Sequence, residues 1–424
     1  MPDKAKTSNR KRLLWIAKII LALALCFLVL WRAHLRDTLQ VRNEAGQVKE
    51  ITGRLIGRTD SGDWLWRNAR GIQRTIPDSD VIKKAKLNHL GQAEPSFEQG
   101  LISLIATAFG SRWVWLAIAL LPLEVLLGAW RWQRLLRAGR IRLSYSKALT
   151  LTFIGNFFNH TLPSMVGGDV VKAYYLMRSH PKRKSNVVVS LIADRTVGMA
   201  GLAIICVAAI ITGWSNPLVQ SIKVPIFIIV GLLALAVAIL FVPGLARALH
   251  LVWLTERLPF QHFMDSLRRV VRLYSLQPGI WILATGLSVV IHLILLSCVY
   301  LGGRALAPGP GYRDYLLLLP PTWMISAIPI TPGGAAWMEL WYQNFFSRVG
   351  VSATAALSLS LFHRFIMLIW ALPGLVFYLK GPGFKSPEPI TISRVEQILD
   401  IESDASGNSR PRSQAGQPNS QGSF

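Results

Sequence analysis

Several polar and charged side chains of this 424-residue sequence stand inside otherwise apolar stretches, and the densest group is Asn156, Asn159, His160, Asp169 and Lys172. An ionisable side chain held away from water is costly, so such positions point first to binding or transport chemistry. Gly167-Gly168 precedes Asp169 directly, where it lets backbone approach a headgroup closely, and a broken-helix N-terminus there attracts an anion such as phosphate. Asp169 and Lys172 are three apart and share a face if helical, so a mutual ion pair stands beside direct substrate contact as a reading. Asp194-Arg195 offers the same choice: Arg195 neutralises a lipid phosphate, or the pair holds helices together. A third group is Pro332-Gly333-Gly334, Glu339 and His363-Arg364, in which a meeting of His363-Arg364 with Glu339 would give a charged pair at the second break. Glu124 and His292 are more isolated and read as satisfied interior polar groups rather than proton carriers.

The search for catalysis is mostly negative. There is no G-x-S-x-G elbow, H-E-x-x-H, P-loop or dinucleotide fingerprint. His160 near Asp169 would suit acid–base work, but nothing nearby supplies a nucleophile, so an embedded transferase lacks support and no catalytic residue is assigned. Asp60, Asp63, Asp78 and Asp80 match no calcium loop and read as turn chemistry; no metal site or cofactor is expected. Asn159-His160-Thr161 is formally a glycosylation sequon, but it falls in or behind the membrane. Cys26, Cys206 and Cys298 lie in apolar stretches and read as packing residues.

These side chains must be positioned by membrane helices. The chain is 52% hydrophobic and only 16% charged, against roughly 25% charged in an ordinary soluble domain. Six stretches, 13–31, 113–130, 187–212, 224–242, 279–301 and 352–379, approach the roughly 20 apolar residues that cross a bilayer. The first is too long for a signal peptide and ends on Trp31-Arg32 instead of small residues, so it reads as an uncleaved anchor. The net charge of +24 would suit nucleic acid, but it is explained by its distribution, and no nucleic-acid partner is expected. Basic residues crowd the segment before the first span, residues 131–147, 172–184 and 247–272, while the opposing short loops are poor in them. Basic short loops stay cytoplasmic, so both termini are predicted inside a multi-pass plasma (inner) membrane protein. Tryptophans near span ends, including Trp113, Trp130 and Trp214, mark the same boundaries.

Two apolar stretches, 149–171 and 315–348, begin and end on one side in this scheme, and each is broken midway by Pro and Gly. They are predicted as re-entrant or broken hairpins, since irregular backbone at membrane depth survives only in protein or beside a wet cavity. Span two, hairpin and span three then form the topological inverse of span five, hairpin and span six, a pattern that marks a transporter's midplane site. The predicted fold is an all-α polytopic membrane protein with about six transmembrane helices, two broken hairpins in an inverted repeat, and a small β-rich extracytoplasmic insert. The predicted boundaries are a basic N-terminus at 1–12, the first helix at 13–31, and the insert at 32–112. Period-2 alternation and turn signals make residues 41–82 β-rich, with a compact barrel as one arrangement. A transmembrane core follows at 113–380, then a disordered cytoplasmic tail at 381–424, rich in Ser, Gly, Gln, Asn and Pro.

The run from Asn156 to Asp169, through Leu162-Pro163-Ser164 and Gly167-Gly168, with Lys172, Asp194-Arg195-Thr196-Val197-Gly198, Pro332-Gly333-Gly334, Glu339 and Arg364, resembles the lysylphosphatidylglycerol synthase transmembrane (flippase-like) family over roughly residues 113–380. The family often has Arg where Lys172 stands, and tends to have Gly where Ala336 stands. The resemblance implies a polytopic inner-membrane protein that moves or binds a phospholipid or lipid-linked anionic headgroup. In synthase members a cytoplasmic aminoacyltransferase domain follows; about 44 residues follow the last span here, so aminoacyl transfer does not carry over and an enzyme is not expected. The implied substrate-binding set is Asn156, Asn159, Pro163, Gly167, Gly168, Asp169, Lys172, Asp194, Arg195, Pro332, Gly333, Gly334, Glu339 and Arg364, with Lys172, Arg195 and Arg364 as phosphate partners. The competing reading is a membrane-embedded accessory subunit of a lipid- or glycan-modifying enzyme, docked through the insert.

Overall fold

The computed structural model describes residues 20–21, 23–43, 46–68, 70–87, 93–162, 167–241, 277–328 and 330–381. The basic terminus at 1–12, most of the first predicted span, Pro163, the basic segment 247–272 and the tail beyond Gly381 lie outside the described residues. A leading helix, α1 (residues 23–31), and the turn after it pack through Val29 and Ala33 against Ala336 and Leu357.

The chain then builds a sheet from β1 (Asp37–Arg42), β2 (Val48–Arg58), β3 (Trp64–Asn68), β4 (Gln73–Ile76) and β7 (Phe97–Glu98), in the order β4-β3-β2-β1-β7. β5 (Lys83–Leu87) and β6 (Ala93–Pro95) form a separate two-stranded sheet. Side chains alternate across a strand, so β3 sends Trp64 and Trp66 to one face, where they bury with Leu39 and Val81. The larger sheet keeps two edges, β4 and β7, so the compact barrel is replaced by an open sheet. Asp63 and Asp78 do turn work: Asp63 accepts from Ser61 Oγ at 2.9 Å, and Asp78 from Trp64 Nε1 at 2.9 Å. Buried Asp37 accepts from Leu55 N at 2.9 Å and Gly100 N at 2.8 Å, tying the sheet's first residue to its exit. The entering and leaving chains also meet at Leu101 N and His34 O, 2.9 Å apart.

The helical body follows: α2 (Leu101–Phe109), α3 (Arg112–Leu120), α4 (Pro122–Ala138), α5 (Tyr145–Thr161), α6 (Gly167–Ser179), α7 (Lys184–Thr212) and α8 (Pro217–Phe241), then α9 (Pro278–Leu306), α10 (Tyr312–Ser326), α11 (Trp337–Phe346) and α12 (Ala353–Lys380). Among the described residues, four helical stretches are long and apolar enough to cross a membrane: Arg112–Ala138, Pro181–Thr212, Pro278–Leu306 and Ala353–Lys380. They coincide with four of the six predicted spans. α3 and α4 make one apolar stretch divided at Leu121, and Pro122 takes the first position of α4, where its missing N–H costs nothing.

Each predicted hairpin is two helices joined by a break. α5 ends at Thr161 and α6 starts at Gly167; α10 ends at Ser326, and a 3-10 turn at Pro332–Gly334 precedes α11. The limbs of the first pair close tightly, since a side chain added at Gly168 would strike the carbonyl oxygen of Gly155. α11 begins at Ala336 in the left-handed region, φ 60°.

Candidate functional site

One cavity of about 500 Å³ opens among these helices, and both hairpins line it. Asn156, Asn159 and His160 come from the end of α5, Asp169 and Lys172 from the start of α6, and Gly334 from the second break. The four long stretches add Glu124 and Arg131, Asp194 and Arg195, Ile291 and His292, and His363 and Arg364. Each of these pairs stands well inside its span rather than at an end. The site therefore lies at mid-length of the apolar helices, where an unpaired charge is most costly.

The charges are arranged as pairs. Asp169 receives Arg195 Nε at 2.7 Å on one oxygen and Lys172 Nζ at 3.7 Å on the other. Lys172 also stands 5.1 Å from the centre of the Trp132 ring, a cation–π contact that offsets its burial. Asn159 Oδ1 accepts from Gly168 N at 2.9 Å, which ties the end of α5 to the start of α6. Arg364 binds Glu339 through Nε and, at 3.2 Å, through Nη2, which also donates to the Gly334 carbonyl at 2.7 Å.

Those two clusters have one design. Asp169 and Glu339 are each the third residue of a hairpin's second limb, and each is held by an arginine of the next long helix, 26 and 25 residues downstream. A carboxylate in a helix's first turn also faces the positive end of its dipole.

Asp194 behaves differently from its sequence reading. It does not pair with its neighbour Arg195; it takes Arg131 Nε at 2.9 Å, and Arg131 Nη1 donates to Ser288 Oγ at 2.8 Å. Arg131, counted in sequence with the cytoplasmic basic residues, lies inside α4 with 11% of its side chain exposed. Its flanking tryptophans, Trp130 and Trp132, had resembled a membrane boundary.

A second hydrogen-bonded line runs from Trp323 Nε1 to Tyr342 Oη at 3.2 Å and on to His363 Nδ1 at 2.9 Å. His292 Nδ1 stands 2.7 Å from the Ser288 carbonyl, which only accepts, so that nitrogen carries the proton and Nε2 is left for the cavity. Ser326 also lines the cavity, and among the described residues its buried hydroxyl has no hydrogen-bond partner. Such an orphan is the kind of group that a ligand satisfies.

Of the residues assigned from sequence, Asn156, Asn159, Asp169, Lys172, Asp194, Arg195, Gly334 and Arg364 face this cavity, and Glu339 stands behind Arg364. Gly167 packs on the Leu162 side chain, and Gly168 on Gly155. Pro332 and Gly333 form the turn before α11, and Pro163 lies outside the described residues. Sequence reading missed Arg131, Ser326 and the shared placement of Glu124, His292 and His363. The last three stand on separate helices, so no spacing rule links them.

Fold and site together define a multi-pass membrane protein whose mid-length cavity is built from two broken hairpins. The family profile described as "Lysylphosphatidylglycerol synthase TM region" matches residues 99–374. The chain belongs to that family. It is also similar to UPF0104 membrane protein PH1989 of Pyrococcus horikoshii, with 24% identity over 284 residues, covering 60% of this chain and 82% of that protein.

Proposed function

We propose that this family member is a flippase-like protein that binds and translocates a phospholipid or lipid-linked anionic headgroup. The observation that carries the reading is the convergence of both broken hairpins on one cavity with four cationic side chains, Arg131, Lys172, Arg195 and Arg364. Interrupted helices whose first turns face a shared cavity are the features that transporters use to hold an anionic group at mid-membrane. The orphan Ser326 hydroxyl supplies a further donor for a phosphate oxygen. In this reading Arg195 and Arg364 are the phosphate partners nearest to exchange, because their side chains are the most exposed of the four, at 54% and 37%. About six spans, an inverted repeat, an inner-membrane location and cytoplasmic termini complete the proposal.

The test is headgroup translocation by purified protein in liposomes. Wild type should move a labelled anionic phospholipid between leaflets, and Asp169→Ala and Arg195→Ala should each lower the rate at least tenfold, the loss expected for a charged pair worth about 1.4 kcal/mol in the rate-limiting state. Protein that moves no lipid, or variants that move it at the wild-type rate, would overturn the mechanism.

A further inference from the structure

We infer that Glu124 is a proton-binding site that couples protonation to capture of a monoanionic phosphodiester headgroup in the same cavity. The inference rests on the proposed headgroup reading and adds the ion that travels with the headgroup.

The argument is a charge count. Arg131, Lys172, Arg195 and Arg364 give the cavity four positive charges. Asp169 holds two of them, Asp194 one and Glu339 one. Three committed carboxylates against four cations leave one positive charge. Glu124 is the fourth carboxylate of the site, and among the described residues its carboxylate makes no hydrogen bond or ion pair. Arg131, on the same face of the same helix, is seven residues on, about 10 Å along the axis at the helical rise, too far for a bond. The groups that face Glu124 are Arg131 on its own helix, Lys172 on α6, Asp194 on α7, and Cys298 on α9. His292 of α9 stands in the same cavity.

With Glu124 ionised the site is neutral. When a proton converts the carboxylate to the carboxylic acid, the site becomes +1 and a monoanionic phosphodiester restores neutrality. One proton and one anion then share the cavity, and by thermodynamic reciprocity each raises the affinity for the other by the same factor.

The experiment measures binding of dioctanoyl phosphatidylglycerol to the full chain in phosphatidylcholine nanodiscs, from about pH 5 to about pH 8, the range where carboxyl and imidazole groups change charge. Wild type should bind about tenfold more tightly at the acidic end, within the usual span of coupling between two sites. Glu124→Gln, neutral at every pH, should bind tightly throughout, and Glu124→Asp should keep the pH dependence. Calorimetry in buffers of different ionisation enthalpy should show wild type taking up about one proton per headgroup bound, a linkage readout that survives a failure of Glu124→Gln to fold. Tight binding with no pH dependence or proton uptake would overturn the proton site and leave the headgroup reading standing. Wild-type pH dependence retained in Glu124→Gln would move the titration to His160, His292 or His363 and overturn the assignment. Absence of binding at every pH would overturn both readings.

Discussion

Arg131 and Asp194 are the clearest case of charges that need each other. With 11% and 18% of their side chains exposed, neither has enough water to stand alone. Removing one partner of a buried pair costs roughly 3–5 kcal/mol because the other charge is stranded, whereas replacing both with apolar groups is often neutral. Asp194→Ala should therefore lower the thermal midpoint sharply in detergent, and Arg131→Met with Asp194→Leu should recover most of it; a double-mutant cycle reads the coupling. Ala336 poses the opposite problem. Its φ of 60° is the left-handed region, which costs a residue with a Cβ about 1 kcal/mol, while its methyl packs on Val29 and Leu357. Ala336→Gly relieves strain and loses a buried methyl worth about 0.8 kcal/mol, so chemical unfolding should find the two proteins nearly equal in stability. At this scale the sequence was legible where partners lie close in the chain, as with Asp169 and Lys172. It was silent on Arg131 and Asp194, 63 residues apart on two helices.

The first hairpin works because its limbs nearly touch. The space that a Cβ at Gly168 would need is filled by Gly155 backbone, and the space at Gly155 by the Lys172 stem. Gly168→Ala should wedge α5 from α6, cost about 1–3 kcal/mol as overpacking does, and displace Asp169 from Arg195. Gly128, on α4, has open space around its Cβ position, so Gly128→Ala should instead gain up to about 1 kcal/mol from helix propensity. Parallel measurements of thermal midpoint and translocation would separate the two glycines. Both breaks were readable from Pro and Gly because those residues act locally on the backbone. The reach of α4 to Ala138 was not, because the apolar run stops at Trp130 while packing against α5 and α7 sustains the helix through an arginine-rich end. The open sheet was equally hidden, since Leu39 of β1 pairs with Phe97 of β7, 58 residues further on, and only the tertiary fold decides that pairing.

At the scale of the molecule, the predicted orientation follows from basic loops, and labelling can check it. Cys206 and Cys298 are fully buried and Cys26 partly so, which leaves introduced cysteines as the main reporters. A cysteine at Gly62, in the turn after β2, should react with an impermeant maleimide on intact spheroplasts. One at Ser179, beside the basic residues Lys182, Arg183 and Lys184, should react only after permeabilisation. Reversed labelling would invert the topology. The four long helices were legible as hydropathy, and a midplane site was expected from the paired breaks; the share of Arg131 and His292 in the cavity was not legible, because it exists only where the middles of the helices converge.

The tie between Asp37 and Gly100 has a consequence for how such a protein diversifies. The sheet leaves the helical body and rejoins it at neighbouring backbone positions, with His34 and Leu35 bonded to Leu101 and Ile102. A module attached by adjacent ends can be gained, exchanged or excised in one event with little displacement of the chain on either side. The family profile begins at residue 99, at that seam. The seam is thus a natural graft point, where the helical body can be given a different appended module while its buried charges stay in register.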